Sequence, residues 1–158
     1  NFPHIPVETA MARWQEAASQ YRGKVNLIYS NCPCAGMSVA NSEKAVDNDS
    51  NRHLMMANRV GQWFAPDMFV VESVANLFNE GDALVSQWEA DWAAAGYRTC
   101  RLTESGIHVG LPQNRKRALF VAARNGINLD FSYPHGVQPT TVRNAISDIT
   151  ALPIRQDA

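Results

Sequence analysis

The sequence lacks an excess of positive charge: 14 basic residues, only three of them lysines, face 15 acidic residues, which gives a net charge of −1. Such a chain has no broad basic field for non-specific nucleic-acid binding, so any contact with DNA must be local. It also lacks an apolar run near the ~20 residues of a membrane helix. Three cysteines are an odd set for a disulfide framework. We therefore expect a soluble, intracellular protein with reduced thiols.

What remains is the composition of one globular domain. The chain has 158 residues, of which 46% are apolar, and this is about the length of a single domain. Short apolar runs alternate with helical periodicity, which is typical of an α/β fold. The predicted strands cover residues 4–7, 25–30, 68–71 with 74, 97–103 and 117–123. Three predicted helices are capped by Thr9, Asn51 and Asp82 and end near Tyr21, Phe64 and Ala95, respectively. A last short helix is predicted to start at Thr140 or Thr141 and to end near Ile149.

Two reactive side chains follow predicted buried strands. Cys34 stands in a turn between Pro33 and Gly36, and Glu72 follows four apolar residues. Because ligands of open α/β sheets bind at the carboxyl ends of the strands, these positions favour a nucleophilic thiol and a carboxyl group placed in the crevice. The alternative interpretations are a buried structural cysteine and a solvated strand end.

A dense basic segment, Gln113-Asn114-Arg115-Lys116-Arg117, leads into the last predicted strand. Strand alternation predicts that Arg115 and Arg117 point to the same side and Lys116 to the other. Two guanidinium groups on one side suit a phosphate or a carbonyl edge. For either arginine alone, a solvated basic turn is the competing interpretation.

Together these segments resemble the cytosine-C5 DNA methyltransferase family. Pro33-Cys34-Ala35-Gly36-Met37-Ser38 is similar to its Pro-Cys-Gln-Gly-Phe-Ser nucleophile loop. Glu72-Ser73-Val74 is similar to its Glu-Asn-Val motif, and Pro112-Gln113-Asn114-Arg115-Lys116-Arg117 to its Pro-Gln-x-Arg-x-Arg motif. Further segments follow the family order, namely Asn1-Phe2-Pro3, Asn51-Arg52-His53-Leu54 and the stretch from Thr141 to Asp148. The resemblance spans nearly all of the chain and implies a partial Rossmann-like class I methyltransferase sheet with flanking helices.

The resemblance implies S-adenosylmethionine as the methyl donor and a cytosine flipped out of duplex DNA as the substrate. Cys34 is then the thiolate that adds to C6, Glu72 binds N3 and Arg117 contacts O2. The side chains implied in binding are Asn31 and Pro33 for the cofactor, and Ser38, Gln113 and Arg115 for the nucleic acid. No metal is expected, because the cysteines and histidines lack zinc-site spacing.

The sequence departs from the family pattern in two motif residues and in two missing segments. Ser73 stands where the family has Asn, and Ala35 where it has Gln. The family's glycine-rich cofactor loop and its target-recognition domain have no counterpart in residues 1–158, so we expect a partial catalytic domain whose cofactor half is incomplete. We also expect the open edge of the strand at 25–30 to pair with a complementing chain, with residues outside this sequence or with a second copy of the chain.

The competing function is a non-catalytic, methyltransferase-like subunit that binds nucleic acid or serves in an assembly. A third possibility is RNA as the substrate. In each case the expected location is the cytoplasm or nucleoid of a bacterial or phage-infected cell, with no membrane partner.

Overall fold

The computed structural model describes residues 7–32, 52–131, 137–138 and 140–148. Its helices are α1 (Val7–Ala18), α2 (Arg52–Phe64), α3 (Asp82–Ala94) and α4 (Val142–Ala145). Its strands are β1 (Leu27–Asn31), β2 (Met68–Val74), β3 (Tyr97–Ser105) and β4 (Lys116–Arg124), and short 3-10 turns cover Ser19–Tyr21, Ala75–Phe78 and Gly106–Val109. The predicted α/β fold is confirmed. Within these described ranges, no helix has the length and apolar character needed to cross a membrane.

The four strands form one sheet in the order β1-β2-β4-β3. β1 runs parallel to β2, with Asn31 in register with Glu72. β4 runs antiparallel to β2, with Arg117 in register with Val74. Among the described strands, β1 therefore lies at one end of the sheet.

The core lies on one face of β2, because alternate residues of a strand point to the same side. The ring of Phe69 stacks on Trp92 of α3 with 5.0 Å between centroids. Trp92 Nε1–H donates a 2.8 Å hydrogen bond to Asn58 Oδ1 of α2, which ties the two helices together across the core. A Cβ at Gly61 would lie 2.5 Å from the Phe69 ring, so only glycine lets α2 approach the sheet this closely. The core positions predicted for Trp88 and Trp92 are confirmed.

The chain divides into two compact units. The first contains α1, α2, α3, β1, β2 and most of β3 and β4, up to residue 129. The second contains Glu104–Lys116, which joins β3 to β4, and the chain from Asp130 onwards.

Several predicted boundaries are wrong at the helix starts. α1 begins at Val7, so the strand predicted at 4–7 is wrong at its last residue. Residues 4–6 lie outside the described part of the chain. Thr9 is inside the first turn of α1 and Asp82 is the first residue of α3, so neither is the N-cap. The Asp82 carboxylate instead contacts Arg101 of β3, a tertiary ion pair that local sequence does not reveal. Of the two residues predicted for the start of the last helix, Thr141 is its N-cap, and its hydroxyl accepts from Asn144 N–H at 3.1 Å.

Candidate active site

Glu72 and Arg117 form the centre of the candidate site. Residues 72 and 74 of β2 point to the same face, and Val74 is the register partner of Arg117. Glu72 and Arg117 are therefore diagonal neighbours, which long side chains can bridge. Arg117 Nε lies 2.5 Å from Glu72 Oε1, and these side chains are 24% and 14% exposed, respectively. Sequence reasoning assigned the two residues to one site, and the structure brings them into contact.

This ion pair presents complementary hydrogen-bonding groups side by side. A carboxylate accepts at two oxygens and donates when protonated, whereas a guanidinium only donates, through five N–H groups. Because both side chains are largely buried, water screens their interactions less than on an open surface. The arrangement suits a planar ligand whose edge carries acceptors and a donor.

Ser73 points into the core, away from Glu72. It is 2% exposed, and its hydroxyl has no hydrogen-bond partner among the described residues. The alternation of β2 explains this orientation, because Phe69, Val71 and Ser73 share the inner face. The substitution of serine for the family asparagine therefore changes the core side of the strand and leaves the Glu72 side unaltered.

Asn31 ends β1 directly beside Glu72 in the parallel register and is exposed. Cys32 follows it, half-buried, with its sulfur 2.9 Å from Ser30 Oγ. Three predicted site residues, Pro33, Cys34 and Ser38, lie outside the described residues.

A groove of about 260 Å³ lies between the outer edge of β1 and α2. Its lining is mainly apolar and comes from Ile28, Tyr29, Ser30 and Cys32 of the β1 segment and His53, Met56, Ala57 and Val60 of α2. The same strand exposes Leu27 and Tyr29, by 56% and 58%, on its other face. The edge of β1 is therefore flanked by apolar surface on both faces.

Gln113 and Arg115 belong to the second unit, where both are exposed on the segment before β4. Sequence reasoning missed the residues that hold this segment. Ser105 Oγ–H donates to Asn114 Oδ1 at 2.8 Å, and Gly106 N–H donates to Arg115 O at 3.3 Å. A serine and an asparagine nine residues apart form no recognisable motif. The sequence signal beside this hydrogen bond is Gly106, a residue type typical of tight turns. Among the described residues no group of three or more histidine, cysteine, aspartate or glutamate side chains could hold a metal ion.

The C-5 cytosine-specific DNA methylase family matches residues 1–155. The chain belongs to this family. It is 31% identical over 137 residues to the Type II methyltransferase M.BspRI of Lysinibacillus sphaericus, a match that covers 81% of the chain and 32% of the relative. It is 30% identical over 143 residues to M.BsuRI of Bacillus subtilis, covering 85% of the chain and 33% of that protein. The chain thus spans about a third of the length of these curated relatives.

The fold also matches solved structures. A crystal structure from an Escherichia coli prophage, described as that of a DNA modification methyltransferase, superposes with a TM-score of 0.68 at 21% identity. The match covers 98% of this chain and 42% of the prophage protein. The predicted class I methyltransferase sheet is confirmed.

Proposed function

We propose that this chain is the catalytic segment of a DNA methyltransferase that transfers a methyl group to C5 of cytosine. The observation that carries the proposal is the Glu72–Arg117 pair at 2.5 Å, in a chain of this family. The family motifs that contain these residues are far apart in the sequence. Their direct contact in the fold supports a shared ligand.

The Watson–Crick edge of cytosine has two acceptors, O2 and N3, and one donor, the N4 amino group. Arg117 donates to O2, and Glu72 accepts from N4 and, when protonated, donates to N3. Both contacts withdraw electron density from the ring, which makes C6 more susceptible to nucleophilic attack. In this proposal the base displaces the direct Arg117–Glu72 contact on entering, and it must leave the duplex to do so.

Cys34 is the proposed nucleophile. Its thiolate forms a bond to C6, the ring electron pair moves to C5, and Glu72 supplies the proton at N3. C5 then takes up the methyl group, and loss of the C5 proton allows the C6–sulfur bond to break. Water accepts the C5 proton, N3 returns its proton to Glu72, and the Cys34 thiolate is regenerated as the C6–sulfur bond breaks. The sulfonium of the methyl donor leaves as a neutral thioether, so atoms and charge balance over the cycle.

S-adenosylmethionine supplies the methyl group. Asn31 fits a role in holding it, since its exposed amide lies at the carboxyl end of β1, in register with Glu72, where open α/β sheets bind ligands. Its amide both donates and accepts, as the hydroxyl and amino groups of such a ligand require. Pro33 is the second proposed cofactor residue.

Gln113, Arg115 and Ser38 are the proposed nucleic-acid contacts. With a net charge of −1 the chain has no general attraction for DNA, so a few exposed donors must position it. Arg115 binds a backbone phosphate in this proposal, whereas Arg117 faces the base. The place of action is the cytoplasm or nucleoid.

The edge of β1 is the proposed docking site for an extended segment from outside residues 1–158. Met68 N–H donates to Asn26 O at 2.8 Å, so the main-chain groups of Leu27 and Tyr29 point away from β2. The apolar groove and the exposed side chains flank these groups on both faces of β1. Interior strands of α/β sheets are apolar on both faces. A strand of that kind suits this position.

A mechanism-based trap tests the chemistry. Single-stranded DNA containing 5-fluorocytosine is incubated with S-adenosylmethionine and with this chain, reconstituted with the segment that pairs with the edge of β1. A covalent adduct is expected, because fluorine at C5 cannot leave as a proton. Cys34→Ser is expected to abolish the adduct, whereas Cys32→Ala and Cys100→Ala retain it. An adduct in Cys34→Ser would overturn the mechanism, and no adduct with the unmodified chain would favour the non-catalytic subunit.

The two arginines are expected to divide binding from chemistry. Arg115→Ala should weaken DNA binding and lower the slope of log affinity against log salt by about one. Arg117→Ala should slow adduct formation with little change in affinity. Equal effects of the two substitutions on both quantities would contradict these assignments.

A further inference from the structure

The loop between β3 and β4, residues Gly106 to Arg115, carries Gln113 and Arg115 on an exposed surface. Long exposed side chains bind a ligand well only if the backbone beneath them is fixed, since ordering them on binding costs conformational entropy. The hydrogen bonds at the base of this loop therefore bear on the proposed contact with DNA.

The main chain closes the loop through Gly106. Gly106 N–H donates to Arg115 O at 3.3 Å, and Leu111 N–H donates to Gly106 O at 2.9 Å. A Cβ at residue 106 would lie 2.7 Å from Gln113 O and 3.3 Å from Leu111 Cβ. The backbone of Gln113 thus packs directly against a residue that must be glycine.

One side-chain hydrogen bond completes the closure. Ser105, the last residue of β3, is 5% exposed, and its hydroxyl donates to Asn114 Oδ1 at 2.8 Å. Asn114 stands between Gln113 and Arg115 in the sequence. A buried hydroxyl on a strand therefore holds the residue between the two proposed DNA contacts. Loss of either partner leaves the other without this bond.

We propose that Ser105 is a positioning residue for nucleic-acid binding, acting through Asn114 to fix the presentation of Gln113 and Arg115. The inference rests on the proposed function, because it needs Arg115 to contact the nucleic acid. It requires no contact between Ser105 itself and DNA.

The test is a double-mutant cycle on DNA affinity. Ser105→Ala and Asn114→Ala are each expected to weaken binding of a short mixed-sequence duplex about fivefold, the equivalent of one hydrogen bond. Each should also lower the salt slope by about one, as Arg115→Ala does. In a background that lacks both contacts, Gln113→Ala with Arg115→Ala, Ser105→Ala should change affinity by less than about twofold, because the contacts that it positions are already gone. Thr103→Ala, which removes an exposed hydroxyl from the same strand, is the matched control and should leave affinity unchanged.

The outcomes separate the two proposals. If the unmodified chain binds DNA and Arg115 contributes, but Ser105→Ala weakens binding equally with and without the side chains of Gln113 and Arg115, the positioning role is wrong and the proposed function stands. If Arg115→Ala changes nothing, the proposed DNA contact fails and the positioning role fails with it. Asn114→Ala guards against misfolding, because it removes the same bond from an exposed residue. An unchanged affinity in that variant would also overturn the inference.

Discussion

β4 and β1 carry similar apolar side chains in different surroundings. In β4, which lies between β2 and β3, Phe120 is fully buried together with Ala118, Val121, Ala122 and Ala123. In β1, at the end of the sheet, Leu27 and Tyr29 are more than half exposed. An apolar run shows that a strand is suited to burial, but its neighbours decide whether it is buried.

The same contrast separates two parts of the candidate site. Glu72 and Arg117 lie on β2 and β4, two interior strands, and their contact is formed within the described chain. Asn31, the proposed cofactor residue, lies on β1. Interior strands hold side chains rigidly, so the base-binding part of the proposed site is assembled, while the cofactor part depends on what covers β1.

The largest expected effect is the loss of a β4 core side chain. Phe120→Ala should lower the free energy of unfolding by about 3–5 kcal/mol, because it leaves a cavity beside Trp88, whose ring centroid is 5.5 Å away. The measurement is urea unfolding followed by tryptophan fluorescence. Leu27→Ala on β1 is the matched control and should cost no more than about 0.5 kcal/mol. A similar cost at both positions would show that β1 is covered in solution as β4 is.

A somewhat smaller effect is expected where α2 covers β2. Gly61→Ala should cost about 1–3 kcal/mol, because its Cβ would overlap the ring of Phe69. In a Phe69→Leu background the cost should fall, since the ring that causes the overlap is gone. The two urea midpoints measure this coupling, and a cost that does not depend on residue 69 would exclude overpacking as the cause.

Sequence reasoning located the strands because apolar runs and their alternation report burial directly. It missed the N-terminus of α3 because Asp82 satisfies the cap preference yet contacts Arg101, a partner 19 residues away. It identified Glu72 and Arg117 from motifs, while their 2.5 Å contact depends on the β2–β4 register. The hydrogen bond from Ser105 to Asn114 was beyond prediction, because it depends on how a loop closes.

The next prediction concerns strand pairing at the edge of β1. The isolated chain is expected to self-associate with rising concentration in sedimentation experiments, since an open apolar edge invites strand pairing. Tyr29→Pro removes a main-chain N–H that points away from β2 and should weaken association about fivefold, the equivalent of one hydrogen bond.

Tyr29→Ala is the control for this edge prediction, because it removes the exposed ring and keeps the N–H group. If both variants weaken association equally, the ring and not strand pairing holds the copies together. A monodisperse monomer that binds S-adenosylmethionine at micromolar concentration would refute the open edge altogether.

The smallest expected effect concerns an interior contact under alkaline conditions. Tyr97 of β3 is buried, and its hydroxyl donates to Pro66 O at 2.6 Å. Burial raises the pKa of this phenol above its usual value; Asp67 adds to the rise and Arg124 opposes it. The folded chain thus holds the phenol proton more tightly than the unfolded chain does. This tighter binding of the proton stabilises the folded chain. The stabilisation is fully present below the pKa of about 10 that tyrosine has in the unfolded chain, and it is lost as the pH rises through the higher pKa of Tyr97 in the folded chain. The free energy of unfolding, measured with urea, should be lower at about pH 11 than at about pH 8, and Tyr97→Phe should reduce this difference. The same decline in Tyr97→Phe would assign the alkaline loss to other groups.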